Sequence, residues 1–460
     1  MPQTQLPIPG GQAHLPLEPG RRRTAGGPPR LLIETGLPAA AIGVECMRER
    51  ATGQQPPHAR LHVWWARRPL TAARAAVLGS LLPADFPQDR FERLLGFWGT
   101  ADEVQKAAEH LRNMAGGPSR IANPHGIRAF RNTLREDDLA AAHDAMRALW
   151  GDTPTVIDVM AGGGSIPLEA ARLGLNALAN ELNPVATTVL EATIDYPFRF
   201  GPALATRARH WAAEWDRRVS ARIAKFYPKT SLFNVQAYIF ARTVPCPDTG
   251  FATPLVPDWH LLKPNGGTAW VAEPVIDHAN GTWTMRARRV GTHAGDLPPS
   301  RIPARTYTLG KGTSLFTGRA ISADYIKAQA QAGRMGSHLY AVAVKTNDGL
   351  RFDPPTATDL AAIEAATAEL ATLRPGWERR NVIPTEAYPK VSSDARPRTY
   401  GMPNWADLFA PRQLLALGTL VEELRGLHAD VVATEGEEMG EAVVQLLAFG
   451  LDKYCLLYTS

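Results

Sequence analysis

The segment Val156-Ile157-Asp158-Val159-Met160-Ala161-Gly162-Gly163-Gly164-Ser165-Ile166-Pro167-Leu168-Glu169-Ala170 constrains this chain more than any other. A short apolar run, a tight glycine turn and a helix start follow one another without a spacer. A second apolar run ends at Asn180-Glu181. That spacing predicts a parallel β-α-β unit, with strands over 155–159 and 177–180 and a helix from about 167 to 173. Glycines let the backbone pass close beneath a ligand, and the helix start offers it free N–H groups.

Two ligand classes use such a turn. A dinucleotide site wants G-x-G-x-x-G, its third glycine allowing close helix–strand packing. Counted from Gly162, that third place is Pro167, which suits a first helical turn but cannot serve as the packing glycine. A nicotinamide-dependent oxidoreductase is therefore a poor match. S-adenosylmethionine has no pyrophosphate; it needs room for its methionine part and an acid for its ribose hydroxyls. Glu181 stands where that acid belongs, and Asp158 is placed to face the ligand's amino group through water. The expected cofactor residues are Asp158, Met160, Ala161, Gly162, Gly163, Gly164, Ser165, Glu181 and Asn183. The plain alternative is a glycine turn flanked by structural acids.

The 460 residues leave room for two to four domains. Residues 1–30 are Pro- and Gly-rich around Arg21-Arg22-Arg23 and read as a disordered tail. Residues 31–150 form a first, helical domain, with helices over 38–49 and 70–82. Residues 151–230 hold the β-α-β unit and further helices. A β-rich insertion covers 231–350, and helices return over 351–460. No apolar run is long enough for a membrane span, and no secretory signal opens the chain. The three cysteines form no C-x-x-C pair, which fits a reducing cytoplasm.

A net charge of +5 permits a nucleic-acid partner without demanding one. The densest basic-aromatic run is Arg60-Leu61-His62-Val63-Trp64-Trp65-Ala66-Arg67-Arg68-Pro69. His62, Trp65, Arg67 and Arg68, with Lys327 and Arg334 further on, are the expected nucleic-acid contacts. Arginine fits phosphate or guanine, and tryptophan stacks on a base. The competing reading is a strand with core tryptophans, followed by a helix whose arginines pair with acids. On such a strand Trp64 and Trp65 alternate faces.

Several ordered motifs carry a family resemblance: Met160 to Ala170, Arg172-Leu173-Gly174, and Asn180-Glu181-Leu182-Asn183-Pro184-Val185-Ala186. Others are Leu32-Ile33-Glu34, His62 to Leu70, Tyr325 to Gln329 with Gly333 to Gly336, Tyr400-Gly401-Met402, Trp405 to Phe409, and Arg412-Gln413. Over about 31–454 the chain resembles adenine-specific DNA methylases that have an N-terminal domain of unknown function and a zinc ribbon. The resemblance implies a Rossmann-like S-adenosylmethionine-dependent methyltransferase core with an N-terminal helical domain and a β-rich insertion. It implies methyl transfer to the exocyclic amine of an adenine drawn out of the DNA stack. It also implies protein partners in a restriction-modification or anti-phage defence system.

Two departures matter. The family's Asp/Asn-Pro-Pro-aromatic catalytic loop is not found; Asp353-Pro354-Pro355-Thr356 lacks the aromatic and reads as a helix-start turn. In the family that loop follows the region matched by 451–454, and 455–460 continue no motif. The expectation is a C-terminally truncated fragment with no catalytic residue, or alternatively a non-catalytic S-adenosylmethionine- or DNA-binding protein. The zinc ribbon is also altered. Cys246-Pro247-Asp248-Thr249-Gly250 resembles one knuckle, and Ser314-Leu315-Phe316-Thr317-Gly318 a second without cysteine. One thiolate of four cannot hold a structural zinc, so a zinc-free ribbon is expected.

Overall fold

The computed structural model describes residues 29–50, 55–106, 127–228, 234–263, 269–347 and 349–459. The expected tail over 1–30 lies almost wholly outside them. The fold is mixed α/β, with helix outweighing strand. Among the described residues no helix is long and apolar enough to cross a membrane. The chain divides into two compact units, Met1–Arg199 and Phe200–Ser460, rather than at 150 and 230.

In the first unit, helices α1 (Ala39–Arg50) and α2 (Leu70–Leu81) pack on α3 (Gln88–Leu94) and α4 (Glu136–Trp150). The first turn of α4 carries Glu136, Asp137 and Asp138, which suit a helix N-terminus, and Gly151 closes it in the left-handed conformation. Buried Asp138 also accepts hydrogen bonds from Arg90 and Arg93 of α3. Strand β1 (Thr155–Asp158), helix α5 (Ser165–Arg172) and strand β2 (Asn176–Ala179) form the expected unit, with β1 and β2 parallel from Thr155↔Asn176 to Asp158↔Ala179. Leu32, Leu78, Leu82 and Phe91 share one core with Ala170, Leu173 and Leu175. The sequence boundary at 150 thus runs through a single packed body.

One face of the β1–β2 pair is covered through Val156 and Ala177. The other is bare: Ile157 is 62% and Leu178 48% exposed. Parallel sheets normally bury both faces, so this pair presents an unfinished surface. Helix α6 (Pro184–Leu190) follows, then a turn of π-helix over Glu191–Asp195. Helix α7 spans Tyr196–Ile223 and breaks at Gly201, whose φ of 56° and ψ of −148° no helix allows.

In the second unit, β3 (Asn234–Pro245), β4 (Ala252–Leu255), β11 (Gly336–Thr346) and β12 (Gly349–Asp353) make an antiparallel sheet in the order β12-β11-β3-β4. Between them, β5 (His260–Leu262), β6 (Ala269–Asp277) and β7 (Thr282–Val290) form a second sheet, and β8 (Tyr307–Thr308), β9 (Lys311–Thr313) and β10 (Ala320–Ile321) a third. Trp259, Trp283 and Tyr340 fill the core here. Helix α8 (Ala323–Gln331) leads into β11, and α9 (Ala357–Arg379), α10 (Pro411–Glu435) and α11 (Glu437–Thr459) complete the unit.

Asp353-Pro354-Pro355-Thr356 does start a helix. Thr356 Oγ1 accepts the Asp359 N–H at 3.2 Å, and the Asp359 carboxylate accepts the Thr356 N–H at 2.8 Å. That reciprocal cap satisfies two of the donors a helix N-terminus leaves open.

The two turns expected as knuckles, 246–250 and 314–318, also meet. Gly250 N–H donates to the Cys246 carbonyl at 2.8 Å, and Gly318 N–H to the Ser314 carbonyl at 2.9 Å, both glycines having positive φ. Cys246 Sγ lies 3.2 Å from Ser314 Oγ. Thr317 Oγ1 and Arg319 hold Asp248 from the opposite knuckle. Thr249, Ser314 and Thr317 bring hydroxyls beside the single Cys246 thiol, a donor set that does not fit a structural zinc, which takes thiolate or imidazole.

Candidate functional site

The glycine loop connects β1 to α5. Gly162 and Gly164 take φ of +52° and +80°, the left-handed region that favours glycine. Each is also required for space. A Cβ on Gly164 would stand 2.6 Å from Leu190 and 2.8 Å from Ile194, which close beneath the loop. A Cβ on Gly162 would stand 2.7 Å from Trp64 Nε1, and one on Gly163 3.1 Å from Trp64 and 3.2 Å from Arg67 Nε. The loop is therefore narrow because Trp64 and Arg67 lie against it.

Glu181 ends β2 and turns back on the loop. Its Oε2 accepts the Gly162 N–H at 2.7 Å, and its Oε1 accepts those of Leu182 at 2.9 Å and Asn183 at 3.2 Å. These three donors hold its carboxyl below the ordinary value, so it is ionised at neutral pH. Asp158 accepts the Met160 N–H at 3.2 Å, and Asn183 caps α6 by accepting the Val185 N–H at 2.9 Å. Ser165 Oγ donates to the Arg68 carbonyl at 2.6 Å, again tying the loop to the basic-aromatic run. Met160 and Leu182 are exposed on either turn. All nine residues expected at the cofactor site thus lie together on two adjoining turns, 158–165 and 181–183.

Residues 61–69 are neither strand nor helix. A turn, closed by the Arg67 N–H to the Trp64 carbonyl at 3.2 Å, replaces the strand, and Pro69 opens α2. Trp64 is half-buried against the glycines while Trp65 is 92% exposed, so the two indoles diverge because of the turn rather than strand alternation. Trp64, Trp65, Arg67 and Arg68 line a cavity of about 410 Å³ with Glu49 and Val63.

Glu49 went unnoticed in the sequence. It is buried at the end of α1, and both its oxygens accept the Leu70 N–H at 2.9 Å. Burial pushes its carboxyl up to about 7 against the pull of the Leu70 and Thr71 N–H groups. The available signal was a carboxylate one helix turn beyond Glu45 on a face otherwise apolar. His58 lies close to Arg67 and Arg172; burial, then those two cations, bring it down to about 3.

Lys327 and Arg334 belong to the second unit and do not join this group. Lys327 Nζ lies 3.6 Å from Asp324, and Arg334 Nε donates to Gln329 Oε1 at 2.6 Å.

A family model described as a protein of unknown function (DUF1156) matches residues 36–108. That stretch includes Glu49, Trp64, Trp65, Arg67 and Arg68 and stops short of the glycine loop. No curated protein and no solved structure shows significant similarity to the chain.

Proposed function

We propose that residues 151–190 are the cofactor half of an S-adenosylmethionine-dependent methyltransferase core of Rossmann type, and that the parent activity is methylation of adenine in DNA. The single observation that carries this reading is the tie between Glu181 and Gly162: the acid that ends the second strand is bonded, ionised, to the loop that ends the first. Met160 and Leu182 are exposed beside the loop, and Glu181, with three of its about four lone-pair sites filled, keeps one for a hydroxyl.

These residues fit the group. Glu181 would take one ribose hydroxyl, and Asp158 the methionine end. S-adenosylmethionine would supply an electrophilic methyl group on a sulfonium. No Asp/Asn-Pro-Pro-aromatic run occurs in the sequence, so the reading assigns binding and no catalytic residue to these 460 residues. The bare face at Ile157 and Leu178 is one that a doubly wound sheet covers with helices.

DNA is the proposed macromolecular partner, with contacts at His62, Trp65, Arg67 and Arg68. Partners from a modification or defence system are proposed on the sequence resemblance alone. Calorimetric titration with S-adenosylmethionine tests the cofactor reading. Binding that Glu181→Ala weakens by about tenfold or more, the loss of a charge-assisted pair, supports it. Absence of binding at millimolar ligand removes it.

A further inference from the structure

We propose that the cavity of Glu49, Val63, Trp64, Trp65, Arg67 and Arg68 binds a nucleotide, with the base against the tryptophans and the phosphate on the arginines. The proposal rests on the reading of 62–68 as a nucleic-acid contact; it does not depend on the cofactor reading of 158–183.

Four observations converge on that ligand class. The cavity measures about 410 Å³, within the usual range for small-molecule sites of about 300 to 1,000 Å³. Trp65, at its rim, is 92% exposed, an apolar surface the fold itself leaves uncovered. Arg68, in the same wall, is exposed, and among the described residues its guanidinium makes no ion pair or hydrogen bond. A planar guanidinium with unspent donors is suited to an oxyanion. Finally, the one acid in the wall is already engaged, since both Glu49 oxygens sit 2.9 Å from the Leu70 nitrogen.

A peptide carboxylate would use the arginines and leave the indoles idle; a purely apolar ligand would do the reverse. A nucleotide uses both, because every base offers a face to stack and every phosphate accepts a guanidinium. The source is either a free mononucleotide or one unit of a single strand, and the chemistry recognised is the same.

The test titrates the full chain with thymidine 5′-monophosphate, thymidine, inorganic phosphate and an eight-residue oligothymidylate, following tryptophan fluorescence and heat. Thymine avoids mimicry of the adenosine part of S-adenosylmethionine. The expected result is that the nucleotide binds at least about tenfold tighter than thymidine or phosphate alone. Trp65→Ala should cost about tenfold or more for the nucleotide, the size of one stacked base. It should leave the melting temperature unchanged, because Trp65 lies at the surface. Arg68→Ala should weaken the nucleotide and leave thymidine unaffected. An oligomer binding more than about tenfold tighter than the monomer makes a strand the source; equal binding makes it the free nucleotide. No binding of either at millimolar concentration, or a Trp65→Ala variant that binds as the wild type does, overturns the proposal. S-adenosylmethionine titrated in parallel should bind Trp65→Ala unchanged. Its failure to bind a protein that holds the nucleotide would remove the cofactor reading and leave this one standing.

Discussion

Glu169 on α5 joins the glycine-loop helix to the N-terminal helices through a pair with no exposed surface. Its Oε2 accepts Arg74 Nε at 2.5 Å, and both side chains are 0% exposed. Its Oε1 accepts Arg172 Nη1 at 2.7 Å. Arg74 also donates from Nη1 to the Leu94 and Leu95 carbonyls, both at 3.3 Å, and its Nη2 has no partner among the described residues. Burial holds the Arg74 guanidinium below its ordinary value even with Glu169 beside it, so desolvation outweighs the attraction. In a Glu169→Leu variant the two arginines fare differently. Arg172 keeps the Phe130 carbonyl at 2.9 Å and some contact with solvent, whereas buried Arg74 loses its ion-pair partner. Stranding such a charge costs about 3–5 kcal/mol. In a unit of this size that lowers the melting temperature by roughly 6 to 20 °C. The double variant Arg74→Met with Glu169→Leu removes the charge with its partner and should return to within about 1 kcal/mol of wild type. Urea and thermal melts followed by far-ultraviolet circular dichroism measure both. A single variant within about 1 kcal/mol of wild type, or a double variant no better than the single, would refute the reasoning.

Glu49 makes stability fall with rising pH. Its carboxyl rises from 4.5 to about 7 on folding, so the neutral form is favoured; the contribution is complete below about 4.5 and lost as pH passes 7. Against Glu49→Gln, which keeps the shape without the charge, wild type should lose roughly 3 kcal/mol between pH 4.5 and 8, and a constant difference would contradict this. Arg67, Arg74, Glu169 and Cys46 are its charged or titratable neighbours, and all are retained in that comparison. Thr249→Cys, Ser314→Cys and Thr317→Cys together should give the ribbon one tightly held zinc under reducing conditions, with a raised melting temperature, because the two knuckles already face each other. Metal analysis showing no zinc after desalting would sink that idea. Thr356→Ala removes the cap of α9 and should cost about 1 kcal/mol, read from the urea midpoint; no change would mean the cap is not formed in solution.

The β-α-β unit was legible because a glycine turn between two apolar runs admits few folds. Helices α1 and α2 were equally plain, their limits falling within a residue or two of expectation. The path of 61–69 was not. Two adjacent tryptophans look like strand, but the run turns at Trp64–Arg67 because its aromatic bulk packs on glycines nearly a hundred positions away. No local pattern encodes such a contact. The loop glycines read in the sequence as allowing ligand approach; the packing shows them making room for Trp64, a contact no local pattern announces. The division at 199/200 was hidden too, since Leu173 and Leu175 complete a core begun at Leu32. The turns over 246–250 and 314–318 were readable because each needs a glycine at positive φ, Gly250 and Gly318.

Hydrogen–deuterium exchange of the full chain with and without S-adenosylmethionine tests the central claim most directly. The account predicts slowed exchange at the backbone amides of 160–166 and 181–183, the two turns that Glu181 ties together, with the second unit unchanged. Protection absent at saturating ligand, or appearing only outside those turns, would contradict it.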